Sequence, residues 1–195
     1  MKILKIAIAI VLIACSCNSK KSGEQGAQAI TDSLVPQHAP APVSFFPVTD
    51  FIKGQIADIR KAGINPIKKT ITGGKVDSLW LKVEDLDKEL DVFLSPIIDS
   101  SNMRSLFTEK SFLDQTVDAF TFTYDPIKDL PDSFQLQHWD VYVDPESNKV
   151  RRIYILKKLP GNKTLHLTWQ TNSSCKIVTV VNDKVEKEVN IKWDF

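Results

Sequence analysis

The chain has 195 residues, a formal net charge of +1 from 25 Lys and Arg against 24 Asp and Glu, 43% hydrophobic residues and three cysteines. That length suits one domain and a tail, and the even charge balance lacks the basic excess of a dedicated nucleic-acid binder. With seven glycines and no G-x-S-x-G, H-E-x-x-H, Walker-type loop or G-x-G-x-x-G, the chain carries none of these catalytic and nucleotide-binding signatures, and no cofactor is implied.

In chain order, Lys2 and Lys5 precede an unbroken apolar run from Ile6 to Ala14, the charged and hydrophobic regions of an export signal. The run falls well short of the about 20 apolar residues that a membrane-crossing helix needs. Leu12-Ile13-Ala14-Cys15 resembles the lipobox of bacterial lipoproteins: a leucine three before the cysteine, a small residue just before it, then the cysteine. The resemblance implies a signal peptide over residues 1–14, cleavage before Cys15, a diacylglycerol thioether on the Cys15 thiol and acylation, palmitate included, of the new amino group. A thiol is the soft nucleophile that lipid transfer needs, and a small Ala14 leaves the scissile bond accessible. Each buried methylene then contributes about 0.8 kcal/mol, and more than one acyl chain makes anchoring stable. An ordinary secretory signal cut before Cys17 or after Ser16 is the alternative. Ser16 after the cysteine fits the pattern for leaving the inner membrane, and no acidic cluster follows it. The implied location is the outer membrane, facing the periplasm.

Cys17 and Cys175 remain. Cys17 lies in a tether and Cys175 in a predicted strand far along the chain, so an unpaired, inert Cys175 is expected over a disulfide. A metal site on Cys15-Ser16-Cys17 has no second cysteine pair and no histidine at ligand spacing. No metal ligands are assigned.

Residues 15–44 read as a disordered tether, with Lys20, Lys21, Ser22, Gly23, Pro36, Pro40 and Pro42 and few large apolar residues. Its r.m.s. span is roughly 30 Å. The folded domain is placed over residues 45–195. A first helix has Thr49 as its cap, Ile52, Ile56, Ile59 and Ala62 as an apolar stripe, and Gly63 with Asn65-Pro66 as its end. Runs 67–72 and 75–81 flank Gly73-Gly74 as a hairpin. A second helix, 83–94, turns Leu86, Leu90, Phe93 and Leu94 inward, and its dense carboxylates are a solvated face. A third short helix is placed around 102–108.

From residue 117 the pattern becomes that of strands, 117–124, 136–143, 149–158, 163–171, 176–181 and 188–193, separated by turn formers such as Pro160-Gly161-Asn162 and Asn182-Asp183. The fold class expected is α+β: a curved, mostly antiparallel meander of about eight strands packed on two or three helices.

Alternate strand residues share a face. Trp139, Val141 and Val143 fall together, as do Leu165, Leu167 and Trp169, and Val189, Ile191 and Trp193, which reads as core and not as a sugar-stacking platform. The opposite parity gathers His138, Asp140, Tyr142 and Asp144, then Thr164, His166, Thr168 and Gln170. His138, Asp140, Tyr142 and His166 are the candidate ligand-binding residues. Two histidines beside an aspartate could bind a metal or move protons; a solvated outer face with incidental histidines is the alternative. Arg151-Arg152 and Lys157-Lys158 make one strand basic at both ends, suited to an anionic polymer or to an exposed edge.

The phrases EKSFLDQTVDAFTFTYDP, HWDVYVDP and the terminal WDF resemble those of uncharacterised lipoproteins of Bacteroidota, a resemblance that carries no activity with it. The expected role is a lipid-anchored envelope protein, held to the membrane through Cys15, that binds an envelope protein or an apolar ligand without catalysis. An envelope hydrolase or metal-dependent enzyme using His138, Asp140, Tyr142 and His166 is one rival, and a structural component of an envelope assembly is another.

Overall fold

Helix α1 (Val48–Ala62) forms because Val48, Ile52, Ile56 and Ile59 recur on one side of a 3.6-residue period, and all four are buried. The computed structural model describes residues 45–131 and 133–193; the expected signal, Cys15, Cys17 and the tether lie outside the described residues. Gly63 ends α1 with a left-handed φ of 65°, which brings its N–H to the carbonyls of Ile59 and Arg60. The expected cap, Thr49, is not one. Pro47 holds the N-cap position, and Thr49 is buried, its hydroxyl accepting from the Ile98 N–H at 2.8 Å.

Strands β1 (Ile67–Thr72) and β2 (Lys75–Trp80) make the expected hairpin, joined through Gly73 and Gly74 at φ 55° and 79°, a region glycine enters without a Cβ clash. A short 3-10 turn (Val83–Asp85) leads into α2 (Leu86–Leu94), which buries Leu86, Leu90 and Phe93. Helix α3 is a single turn (Ser100–Met103) with a capping box between Asp99 and Asn102. Seven strands follow: β3 (Phe107–Asp114), β4 (Ala119–Pro126), β5 (Leu136–Val143), β6 (Val150–Leu159), β7 (Lys163–Gln170), β8 (Ser174–Val181) and β9 (Lys184–Lys192).

All nine strands join one open antiparallel sheet in the order β2-β1-β9-β8-β7-β6-β5-β4-β3. The meander β3 to β9 is continuous, and the early hairpin adds to its far edge through β1 beside β9. About eight strands were expected; the ninth is β3, where the sequence suggested that a helix ran on to residue 108. As an edge strand with exposed residues on both faces, β3 shows no clean alternation to read. Turns between later strands use left-handed Asn148, Asn162, Asn172, Asn182 and Asp183, residues that tolerate positive φ.

One face of the sheet carries the core. Trp139, Val141, Ile153, Ile155, Leu167, Trp169 and Ile191 are fully buried and share one hydrophobic cluster with Ile52, Leu86, Leu90 and Phe93 of the helices. Phe93 meets Trp169 edge-on at 5.4 Å, Trp169 lies 5.1 Å from Trp193, and Tyr124 stacks on Trp139 at 4.5 Å. The indole N–H groups of Trp139, Trp169 and Trp193 are buried with no hydrogen-bond acceptor, so these rings are held by packing alone. The tryptophans expected in the core are there, whereas Trp80, at the end of edge strand β2, is 70% exposed. Cys175 is buried, and burial pushes its thiol up and away from the reactive thiolate. Among the described residues no helix is long and apolar enough to cross a membrane.

Lys157 is the buried cation of this inner face, 3% exposed. Its Nζ donates to the carbonyls of Val92 and Ser95 at the C-terminal end of α2. Helix carbonyls left without intrahelical partners are satisfied here by a strand residue, at the end where the helix dipole favours a cation. Burial pushes the ammonium down to about 8, against the opposing pull of the Asp91 carboxylate.

Lys157→Met takes the donor away from two partly buried carbonyls, offset by removal of a buried charge, and a net loss on the order of 1 kcal/mol is expected in urea denaturation. Because the folded-state value lies below that of a free lysine, the unfolded chain holds the extra proton between pH 8 and 10.5. Wild-type stability relative to Lys157→Met is therefore expected to increase as the pH rises through that window.

Candidate functional site

The face opposite the core is set by the same alternation, and strand register arranges it in rows. In one row Thr123, Asp140, Tyr154 and Thr168 lie side by side across β4 to β7; in the next, Tyr142, Arg152 and Gln170 do so across β5 to β7. His138 and His166 both face Leu156 from opposite sides, which puts them on one face but two strand spacings, about 10 Å, apart.

Asp140 is the hub, and it is buried despite lying on the outer face. Its carboxylate accepts from Thr123 Oγ1 at 2.7 Å and Tyr142 OH at 3.2 Å, and meets His138 Nε2 at 3.1 Å. The other His138 nitrogen, Nδ1, lies 2.9 Å from Asp125 Oδ1, and Lys110 approaches the second Asp125 oxygen at 3.4 Å. The imidazole is thus clamped between two carboxylates. The hydrogen bond to Asp140 raises the His138 pKa above the ordinary histidine value; burial opposes this and Asp125 adds to it. For Asp140 burial pushes upward, but the bonds from His138, Thr123 and Tyr142 together hold it below the usual carboxylate value.

Tyr154 connects this network to the second histidine. Its hydroxyl lies 2.7 Å from His166 Nδ1, and its ring centroid is 6.1 Å from His138 and 6.2 Å from His166. Thr164 Oγ1 stands 3.4 Å from His166 Nε2. A shallow open cleft of about 260 Å³ opens between Asp140, Tyr142, Arg152, Tyr154 and Thr168. Across it the Arg152 guanidinium lies over the Tyr142 ring, 3.8 Å from the centroid.

Of the four residues picked from sequence, the structure joins His138, Asp140 and Tyr142 directly and reaches His166 only through Tyr154. Neither histidine lines the cleft. Among the described residues no group of three or more His, Cys, Asp and Glu side chains is arranged to hold a metal ion. The candidate set read from sequence left out Asp125 and Tyr154, and named Arg152 only in a basic stretch apart from them. Tyr154 and Arg152 share the outward parity of strand β6, a signal that was present, whereas Asp125 joins only through the register of β4 against β5.

His138, with a raised folded value, adds stability that is complete below pH 6.5 and is lost as pH rises through that value; Asp140, with a lowered one, adds stability present above pH 3.8 and lost as pH falls through its own. The pair contributes fully between those limits. His138→Gln is expected to cost on the order of 1 kcal/mol at pH 5.5, discounted for partial exposure, and less at pH 9, read from urea melts at both pH values.

Comparison of the chain with protein-family models, curated proteins and solved structures finds no match.

Proposed function

We propose that this is a lipid-anchored cell-envelope protein, attached through Cys15 to the outer membrane on its periplasmic side, whose sheet domain binds a partner without catalysis. The N-terminal charge, apolar run and Leu12-Ile13-Ala14-Cys15 support the anchor. The observation that carries the non-catalytic reading is the clamp on His138: its two ring nitrogens lie 2.9 and 3.1 Å from carboxylates, which leaves neither turned toward a substrate as a general base. His166 is likewise occupied, by Tyr154 and Thr164. Charges used in this way support an ordered recognition surface.

We also read the sheet as curved around its helices, since Phe93 and Lys157 tie α2 to its centre while Lys68 of β1 reaches Glu89 of α2 at 2.6 Å from a strand nearer the edge. The inner side of that curve is occupied by tryptophans and helix side chains. This favours binding at the surface over carriage of an apolar ligand in the interior.

Two measurements test the reading. An alkyne fatty acid fed to cells is expected to label the wild type and not Cys15→Ala; equal labelling of both would falsify the anchor. Carbethoxylation, which attacks the neutral imidazole, is expected to modify His138 at pH 7 more slowly than a free histidine peptide, because its carboxylate partners raise its pKa and occupy both ring nitrogens. Rapid modification of His138 would favour the hydrolase reading instead.

A further inference from the structure

A second, larger cleft of about 630 Å³ opens at the ends of strands β5 to β7, beside the β3–β4 turn. Its cationic wall comes from one short stretch, Lys149, Arg151 and Arg152. Consecutive strand residues ordinarily point to opposite faces. Here the register breaks: Tyr142 pairs with Arg152 and Val143 with Val150, leaving Arg151 as the extra residue of a bulge. A bulge re-aims side chains, and Arg151 and Arg152 line the same cleft as a result.

The two arginines are held in different ways. Arg151 donates to the Asp118 carbonyl at 2.9 Å, with the Asp144 carboxylate 3.9 Å away. Arg152 lies over the Tyr142 ring and makes no ion pair with a carboxylate among the described residues, and neither does Lys149. Opposite them the β7–β8 turn brings Gln170, Thr171 and Ser173, and Thr171 Oγ1 is buried without a hydrogen-bond partner. The remaining wall is apolar, formed by Val117, Ala119 and Val150. Three cations against one nearby carboxylate, a forked donor already fixed on a ring and an apolar wall describe one kind of ligand.

We infer that this cleft binds an organic oxyanion, a carboxylate or phosphate carried on an apolar group, with the anionic head on Arg151 and Arg152 and the apolar part against Val117 and Val150. Guanidinium forks match planar and tetrahedral oxyanions alike, and the cleft volume is that of a small-molecule site. The site goes beyond the role proposed above and does not depend on the anchor, so Cys15→Ala should bind as the wild type does and the two readings fail separately.

The test is an amide-resolved NMR titration of the full-length protein in neutral detergent with phenyl phosphate, benzoate, inorganic phosphate and phenol. Saturable shifts at residues 149–152 and 170–173 are expected with phenyl phosphate or benzoate, the tighter of the two identifying the head group. Inorganic phosphate should bind about tenfold more weakly, and phenol not at all. Arg152→Gln should weaken binding about tenfold with an unchanged fold by circular dichroism. If that variant does not fold, Lys149→Gln, at a side chain outside every ion pair described, should still weaken it about threefold. Binding of phenol as tight as that of the anions, inorganic phosphate as tight as phenyl phosphate, shifts spread over surface lysines, or unchanged affinity in the variants overturns the site.

Discussion

The contact on which the rest of the structure depends is Lys157 beneath the end of α2. A β-sheet and a helix packed by apolar side chains alone can slide, because dispersion and burial are non-directional. A buried ammonium donating to two named carbonyls is directional, and it fixes the C-terminal end of α2 over strand β6. From that point Phe93 reaches Trp169 on β7, and Glu89 reaches Lys68 on β1. One helix thereby touches the middle of the meander and the hairpin that precedes it in the chain. The hairpin in turn pairs with β9, so the first and last strands of the domain close on each other. The arrangement carries the desolvation of an amine.

The inner face is filled by packed side chains. Three buried tryptophans, Tyr124 and Phe107 crowd the side of the sheet that faces the helices, with Trp139 in contact with both Tyr124 and Phe107. The outer face is left for chemistry, and strand register sorts it. The His138–Asp140 network lies on β4, β5 and β6, and the rows continue past the Lys176–Glu188 ion pair toward β1 and β2 through Ile67, Lys69 and Ile71. The exposed Val76 and Trp80 lie on that side, at a sheet edge with unpaired backbone groups.

What could be read from the sequence follows the range of the interactions. Parity within a strand is local, so the core placement of Trp139, Trp169 and Trp193 and the shared outer face of His138, Asp140 and Tyr142 were legible. So were the turns, where Gly73, Gly74 and the asparagines report positive φ through their own chemistry. Edge strand β3 was not, because beyond its first residue, the buried Phe107, it is largely exposed on both sides and leaves no period-two pattern. Thr49 looked like a helix cap until a segment almost fifty residues away claimed its hydroxyl. The Asp125 contact with His138 and the Lys157 contact with α2 depend on strand order and helix placement, which single-strand periodicity does not encode. The bulge at Arg151 is likewise a property of a pair of strands and not of either one.

Tyr142 joins the two outer clefts. Its hydroxyl donates to Asp140, the hub of the histidine network, and its ring carries Arg152, which lines both depressions. Burial raises the Tyr142 pKa, the charge of Asp140 raises it further, and Arg152 opposes them. The phenol therefore stays protonated and keeps donating to Asp140 across the ordinary pH range. A single side chain, Tyr142, thus links the histidine network to the cationic wall of the larger cleft.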